Sequence, residues 1–309
     1  MRIAILGSGG VGGYFGGRLA ALGVDVTFLA RGAHLDAMRQ HGLGIDSPLG
    51  NLHIPKVQAT SNPADIGPVD LVFFTVKLYD TDSALAMLPA LIGPGTLVVP
   101  FQNGVDTIPV LTRAVGPAHV AGGTAYVAAV ISDPGVIRHT TMNSLIFGPL
   151  AGPAPAILRE LHDLAKRAGI DAVLSDKIMV DIWAKFARLT VFSGMTSIAR
   201  CSIGPIRDDT DLCAMMEAAW HESILVARSK DIPLPADSFE RIRTATAALP
   251  PQSRSSMLED LERGRRLELP WLSGAMVRMA SDVGVDVPTH RLIVTLLRPH
   301  VNGHQEARA

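Results

Sequence analysis

A glycine-rich segment near the N-terminus is the first part of the chain whose spacing indicates a chemistry. It has the pattern G-x-G-x-x-G, it follows the apolar run Ile3–Leu6, and a helix-like stretch comes after it. In this context the first glycine permits a tight turn, the second lets the backbone approach a pyrophosphate, and the third lets the helix pack close to the strand. The free N–H groups at the helix start favour an anion. The segment therefore predicts a dinucleotide site formed by Gly7, Ser8, Gly9, Gly10, Val11 and Gly12.

The end of the second predicted strand bears on which dinucleotide binds. An NAD site usually has an Asp or Glu there for the ribose 2′-hydroxyl, whereas this chain has Arg31 and no carboxylate at that strand end. A guanidinium suits a 2′-phosphate, so the sequence favours NADPH, with a solvated surface arginine as the alternative interpretation. A methyltransferase also usually needs a carboxylate at this place to bind its nucleoside ribose, so the absence of one counts against that class.

Two polar residues follow later predicted strands and are further candidates for the site. Lys77 comes after Leu71–Val76, and Asn103 comes shortly after Thr96–Val99. The carboxyl ends of strands in an open parallel sheet line the ligand crevice, so a cation and an amide there are placed to meet cofactor and substrate. Taken alone, Lys77 would more simply be a loop lysine, and Asn103 would be part of an Asn-Gly turn.

The elements that must position these residues form two patterns. Up to residue 174, β-branched runs alternate with helix-like stretches, which predicts an α/β domain with a doubly wound parallel sheet. From residue 175 to 309, long helical periods predict an all-α domain. Strands are predicted at Ile3–Leu6, Val26–Leu29, Leu71–Val76, Thr96–Val99, Val120–Val130, Gly135–His139, Ser144–Phe147 and Asp171–Leu174. The later helices are predicted at Asp176–Ser193, Asp209–Lys230, Ala236–Ala248, Ser256–Arg263 and Leu269–Val283.

Composition excludes several other classes. The formal net charge is −1 with no basic run, which argues against nucleic acid or an anionic membrane as a partner. The apolar run Ile3–Leu6 is too short for a signal peptide or a membrane span, so we expect a cytoplasmic protein. The two cysteines are expected to be reduced, no histidine pair predicts a metal site, and no G-x-S-x-G segment predicts a hydrolase.

Taken in chain order, these features and three later segments resemble the ketopantoate reductase (2-dehydropantoate 2-reductase) family over nearly the whole chain. The later segments are Trp183-Ala184-Lys185-Phe186, Ser255-Ser256-Met257-Leu258-Glu259-Asp260, and Glu268 twelve residues after Ser256. The resemblance implies a Rossmann-type NADP-binding domain and a C-terminal domain like that of 6-phosphogluconate dehydrogenase. It also implies NADPH-dependent reduction of a 2-oxo acid in pantothenate biosynthesis, and a homodimer.

The resemblance also implies residue roles. Lys185 would be the general acid, Glu268 a partner of the lysine and substrate, Ser256 a carboxylate binder, and Asn103 a contact near the reacting centre. Hydride transfer to a ketone leaves an alkoxide that needs a proton, which a lysine can supply. Burial would lower the pKa of Lys185 and Glu268 would raise it; the sequence leaves open which effect wins.

Four positions depart from the family, which has asparagines where this chain has Leu189, Ser193, Ile203 and Ser253. Loss of amides makes the expected pocket more apolar, and a site built for a hydroxyl discriminates strongly for it. A contact through Thr190 or Ser193 would compensate, so Ser193 is kept as a substrate-binding candidate. Two alternatives follow: a reductase of a more apolar 2-oxo acid or an imine, and a non-catalytic NADPH-binding sensor, which would need neither Lys185 nor Glu268.

Overall fold

The computed structural model describes residues 1–303, and 304–309 lie outside the described residues. The chain divides into two compact units, each described by itself below. Unit 1 comprises Met1–Gln102 and Thr107–Asp181; unit 2 comprises Asn103–Asp106 and the residues from Ile182 onward. The division therefore falls inside a helix beyond the predicted 174/175 boundary, and the short segment around Asn103 belongs to the second unit.

Unit 1 contains ten strands and five α-helices, which are numbered here in chain order. The strands are β1 (Arg2–Leu6), β2 (Asp25–Leu29), β3 (Leu43–Asp46), β4 (Leu52–Ile54), β5 (Gln58–Thr60), β6 (Leu71–Phe74), β7 (Leu97–Pro100), β8 (Gly122–Asp133), β9 (Val136–Gly148) and β10 (Asp171–Leu174). The helices are α1 (Gly10–Ala21), α2 (Gly32–His41), α3 (Thr81–Leu85), α4 (Thr107–Val115) and α5 (Ala156–Arg167).

The first sheet is parallel and has the order β5-β2-β1-β6-β7. The chain starts in the centre with β1, moves outward through β2 to β5, and returns to the other side with β6. The strand order thus reverses between β1 and β6, and such a reversal opens a ligand crevice at the carboxyl ends of the two strands. The predicted α/β class with a parallel sheet is confirmed.

A second, mixed sheet was only partly predicted. Its order is β10-β9-β3-β4, with β8 paired antiparallel to β9. The short strands β3, β4 and β5 were missed, because each has only three or four residues. Two of them also pair with distant parts of the chain, β3 with β9 and β5 with β2. The predicted break between 139 and 144 is also wrong: β9 runs through this polar stretch, with Met142 at a positive φ of 60°.

Glycines in α1 let this helix lie close to both sheets of unit 1. A Cβ on Gly16 would be 2.8 Å from both Ile5 Cγ1 and Phe28 Cε1, and one on Gly17 would be 2.7 Å from Ile45 Cδ1. Ile5, Phe28 and Ile45 are fully buried. The helix that follows the glycine-rich turn therefore packs directly against β1, β2 and β3.

Unit 2 is all-helical, as predicted. Its helices are α6 (Ile178–Ala199, of which the part from Ile182 belongs here), α7 (Ile203–Asp208), α8 (Thr210–Ser229), α9 (Ser238–Ala247), α10 (Ser256–Glu262), α11 (Ser273–Asp282) and α12 (Pro288–Leu297). Helix α8 contacts α7, α9, α11 and α12. A Cβ on Gly194 of α6 would be 2.8 Å from Ile293 Cδ1 of α12, so these two helices approach closely.

Two helix predictions in unit 2 need correction. The predicted helix Leu269–Val283 is a 3₁₀ turn, Leu269–Trp271, followed by α11, because Leu272 leaves helical geometry with φ −102° and ψ −105°. Helix α12 was not predicted. It begins at Pro288, and proline at the first helical position favours a helix start.

None of the helices in residues 1–303 is long and apolar enough to cross a membrane. In the same residues, no three His, Cys, Asp or Glu side chains are grouped so that they could hold a metal ion.

Candidate active site

In unit 1, the glycine-rich turn follows β1 and contacts the residues just after the carboxyl end of β6. Gly7 has a φ of +108°, and a Cβ there would be 2.5 Å from Val76 N. The Thr75 hydroxyl donates to the Gly7 carbonyl oxygen at 2.8 Å. A Cβ on Gly12 would collide with the Gly7 carbonyl oxygen and lie 2.5 Å from Thr75 Oγ1. Glycine is thus required at both positions by contact with the protein's own backbone.

The second glycine of the motif has a different environment. A Cβ on Gly9 would meet no atom within 4 Å, whereas one on Gly10 would collide with the Ala129 carbonyl oxygen of β8. Helix α1 has no side-chain cap at its N-terminus. An open backbone face beside uncapped helical N–H groups fits the pyrophosphate of a dinucleotide.

Ser8 and Val11, the other two candidates in the motif, are placed differently. Ser8 is buried, and its hydroxyl donates to the Leu29 carbonyl oxygen at 2.9 Å. This bond ties the turn to the end of β2, so the Ser8 side chain has a structural contact. Val11 is half-buried and packs against the core of unit 1.

His34 on α2 is a further contact of the glycine-rich turn that the sequence analysis missed. Its Nδ1 accepts from Gly135 N–H at 3.0 Å, so the proton is assigned to Nε2, which donates to the Ser8 carbonyl oxygen at 3.0 Å. Burial lowers the pKa of His34 and favours this neutral ring. The imidazole therefore connects α2, the glycine-rich turn and the turn between β8 and β9.

Arg31 lies at the N-cap position of α2, directly after β2, and its side chain is 73% exposed. Its Nη2 lies 3.5 Å from Asp80 Oδ2, and Asp80 belongs to a 3₁₀ turn, Leu78–Asp80, that follows β6. A carboxylate thus does lie beside Arg31, contrary to the expectation from the sequence, and it comes from the end of another strand. Lys77 is exposed and is the residue preceding the same turn.

In unit 2, three of the predicted residues form one hydrogen-bonded array. Lys185 Nζ on α6 donates to Asn103 Oδ1 at 3.1 Å, and Asn103 Nδ2 lies 3.5 Å from Glu268 Oε2. Lys185 is 8% exposed and Glu268 is 6% exposed. Asn103 thus connects a buried ammonium group to a buried carboxylate.

Arg278 on α11 fixes the two segments that supply Asn103 and Glu268. Its Nη2 lies 2.9 Å from Asp106 Oδ2, in the same short segment as Asn103. Its Nη1 donates to the Pro270 carbonyl oxygen at 2.7 Å, in the 3₁₀ turn that begins just after Glu268. Neither Arg278 nor Asp106 was a candidate from the sequence, because 172 residues separate them and neither lies in a motif.

Burial dominates the electrostatics of Lys185. The pKa of Lys185 is lowered from 10.5 to about 7, chiefly by burial and also by the nearby Arg188 charge, while the Glu268 charge acts in the opposite direction. The question left open by the sequence is therefore answered in favour of burial. A pKa near neutrality lets the amine both donate and accept a proton at physiological pH, which suits a general acid.

The remaining substrate candidates lie on α6 and at the start of α10. Ser193 and Thr190 on α6 are buried, and within residues 1–303 the Thr190 hydroxyl has no hydrogen-bond partner. Ser256 is exposed at the start of α10, next to Ser255, whose hydroxyl caps that helix and lies 2.7 Å from Thr196 Oγ1. The binding roles of Ser193 and Ser256 therefore stay predictions.

Comparison with known proteins assigns the family. A model of the family described as Ketopantoate reductase PanE/ApbA matches residues 3–152, and a model of its C-terminal part matches 177–301. The chain belongs to the ketopantoate reductase family. It is accordingly an oxidoreductase of the kind that acts on CH–OH groups, and the resemblance inferred from the sequence is confirmed.

Individual relatives agree with this assignment. The 2-dehydropantoate 2-reductase of Archaeoglobus fulgidus is 31% identical, with 96% of this chain and 97% of the relative covered. A ketopantoate reductase structure from Ralstonia eutropha JMP134 is 32% identical with a TM-score of 0.88, covering 97% and 98% of the two chains. A D-mandelate dehydrogenase solved with NADH is 22% identical with a TM-score of 0.88, covering 97% and 98%, and shares the fold.

Substitutions of two glycines test the dinucleotide site. Gly12→Ala should lower the free energy of unfolding by about 1–3 kcal/mol, because the added methyl group meets backbone. Gly9→Ala should change it by less than about 1 kcal/mol but weaken NADPH binding, because its methyl group occupies the open face. Urea unfolding and NADPH fluorescence titration measure the two effects. Equal destabilisation by both substitutions, or unchanged NADPH affinity in Gly9→Ala, would contradict the assignment.

The titration of Lys185 can be observed directly. In protein labelled with ¹³C at the lysine ε carbon, we expect one resonance to titrate near pH 7, with the ammonium form below and the amine above that pH. A lysine in water titrates at about 10.4. Lys185→Arg should remove that resonance and leave the other lysine resonances in place. If the resonance that disappears in Lys185→Arg titrates near 10, burial does not control this amine.

Proposed function

We propose that the chain catalyses NADPH-dependent reduction of 2-dehydropantoate (ketopantoate) to pantoate in pantothenate biosynthesis. The observation that carries the proposal is the buried array of Lys185, Asn103 and Glu268. It joins a proton donor with a pKa near neutrality to an amide and a carboxylate, which a ketone reduction requires and a binding module does not. The relatives named 2-dehydropantoate 2-reductase support the same activity.

The nicotinamide, when bound, supplies the hydride to the carbonyl carbon. Lys185 Nζ then donates a proton to the oxygen of the new hydroxyl group, so reduction uses the ammonium form that prevails below about pH 7. Asn103 Oδ1 accepts from the same nitrogen and fixes its direction. Glu268 holds the Asn103 amide and stabilises the ammonium charge, which keeps the buried lysine from losing its proton entirely.

The other predicted groups complete the proposal. Gly7, Gly9, Gly10 and Gly12 bind the pyrophosphate side of NADPH with backbone groups, Arg31 binds the 2′-phosphate, and Lys77 and Asn103 contact the cofactor. Ser256 binds the substrate carboxylate and Ser193 a further polar group of the substrate. Homodimer formation is proposed on the family resemblance.

A second candidate is reduction of a more apolar 2-oxo acid or an imine. Leu189 lies one helical turn beyond Lys185 and is half-buried, where the family has an asparagine. Ile203, a second such position, is fully buried. An apolar side chain in place of an amide removes a hydrogen-bonding group for a substrate hydroxyl.

A substrate panel tests the reaction. We expect NADPH oxidation with ketopantoate to have a higher kcat/KM than with 2-oxoisovalerate, which lacks the hydroxyl group, with phenylglyoxylate, or with a cyclic imine. Lys185→Met should lower kcat about 100-fold or more, because the proton donor is removed. Lys166→Met, at an exposed lysine of α5, is the matched control and should keep full activity.

The outcomes of this panel separate the alternatives. A preference for 2-oxoisovalerate or phenylglyoxylate would replace ketopantoate by an apolar 2-oxo acid. NADPH binding without turnover of any carbonyl or imine would favour the sensor. Full activity of Lys185→Met would contradict the assignment of the general acid.

Cofactor choice is tested at Arg31. Arg31→Ala should weaken NADPH binding about tenfold or more and leave NADH binding unchanged, because only NADPH has the 2′-phosphate. Arg39→Ala removes the same charge from another exposed position of α2 and should leave the NADPH-to-NADH affinity ratio as it is. Fluorescence titration with each cofactor gives the ratio. An unchanged ratio in Arg31→Ala would contradict a role in 2′-phosphate binding.

A further inference from the structure

The contact between Arg31 and Asp80 crosses the carboxyl end of β1. Arg31 follows β2 and Asp80 follows β6, and β1 lies between these two strands in the sheet. Arg31 Nη2 and Asp80 Oδ2 are 3.5 Å apart, and the Asp80 side chain is 35% exposed. The carboxylate therefore stands at the crevice formed by the glycine-rich turn, beside the guanidinium proposed to bind the 2′-phosphate.

Both residues have backbone positions that the fold determines. Ala30 N–H donates to the Thr60 carbonyl oxygen at 3.0 Å, which holds the chain just before Arg31. Asp80 N–H donates to the Lys77 carbonyl oxygen at 2.9 Å, and the Ser83 hydroxyl donates to the Asp80 carbonyl oxygen at 2.8 Å. The guanidinium side chain is long and mostly exposed, so the ion pair can open while both backbones stay in place.

A carboxylate and a phosphate bind a guanidinium through the same N–H groups. The 2′-phosphate of NADPH and Asp80 would thus share one cation, and two anions beside one cation repel each other. NADH has a hydroxyl group at the same position of its ribose, which does not compete for the cation, and a carboxylate can accept its hydrogen bond.

We infer that Asp80 is a specificity-determining residue that reduces the preference of this chain for NADPH over NADH. The inference rests on the proposed binding of the 2′-phosphate by Arg31. Asp80 weakens NADPH by occupying and screening the guanidinium, and it supports NADH as an acceptor for the ribose hydroxyl. The two cofactors are therefore closer in affinity than Arg31 alone would make them.

The substitution Asp80→Asn removes the charge and keeps an oxygen that can accept from Arg31. We expect it to tighten binding of NADPH about two- to fivefold and to leave NADH unchanged or weaker, as measured by fluorescence titration of the full chain. Calorimetry with adenosine 2′,5′-bisphosphate and ADP isolates the adenosine half, and only the first should bind more tightly. The gain should shrink as salt is raised, because the interactions are exposed.

Two further variants decide the origin of the effect. Asp82→Asn removes the same charge from an exposed position two residues further on and should leave the affinity ratio unchanged. In an Arg31→Ala background, Asp80→Asn should no longer change the NADPH-to-NADH ratio, because the shared cation is gone.

The results separate failure of this inference from failure of the cofactor assignment. If Arg31→Ala lowers NADPH affinity but Asp80→Asn leaves the ratio unchanged, Asp80 has no part in selection and the Arg31 assignment stands. If Arg31→Ala leaves NADPH affinity unchanged, the proposed 2′-phosphate site fails and the inference fails with it. If Asp82→Asn equals Asp80→Asn, the effect is one of overall charge and the specific role of Asp80 is refuted.

Discussion

Placing the ammonium group of Lys185 out of water costs several kcal/mol unless polar groups compensate for the lost hydration. The local structure of unit 2 meets this requirement with one amide and one carboxylate. Asn103 accepts from the ammonium group and contacts Glu268, whose charge also favours the ammonium form of Lys185. Because the carboxylate compensates only part of the burial, the pKa of Lys185 falls to about 7. Arg278 holds the segments of both partners, so an exposed ion pair supports a buried chemical group.

The candidate site of unit 1 depends instead on glycines, which have no side chain. Gly7 lies against the backbone of Thr75 and Val76, Gly12 lies against the Gly7 carbonyl group, and the face of Gly9 is open. In the proposed dinucleotide site, recognition by backbone groups at that face would not distinguish NADPH from NADH, since both have the same pyrophosphate. On this proposal discrimination falls to exposed side chains at neighbouring strand ends, where Arg31 and Asp80 have opposite charges. Such pairs are weak individually, so the choice of cofactor can change without altering the fold.

The sequence predicted what local patterns encode and missed what distant residues do together. Strand–glycine–helix order and the change from alternating to helical periodicity were sufficient for the two domain classes. The ion pair between Asp106 and Arg278 has no local signal, since its partners are 172 residues apart. Asp80 was overlooked because the argument about the 2′-hydroxyl considered only the end of β2. Helix α12 was also missed, because a proline can either end a helix or begin one, and the residue type of Pro288 alone does not distinguish the two.

The departures from the family pattern are not independent of one another. Ile203 N–H donates to the Ser253 carbonyl oxygen at 3.0 Å, so two of the four changed positions are neighbours. Ile203 is fully buried, and an amide there would need hydrogen-bond partners that isoleucine does not. These two changes therefore concern how α7 packs against the segment before α10. Leu189 is different, since it is half-buried and one turn from Lys185 on α6. In the proposed mechanism, the proton donor and the candidate position for substrate selection thus lie on adjacent turns of one helix.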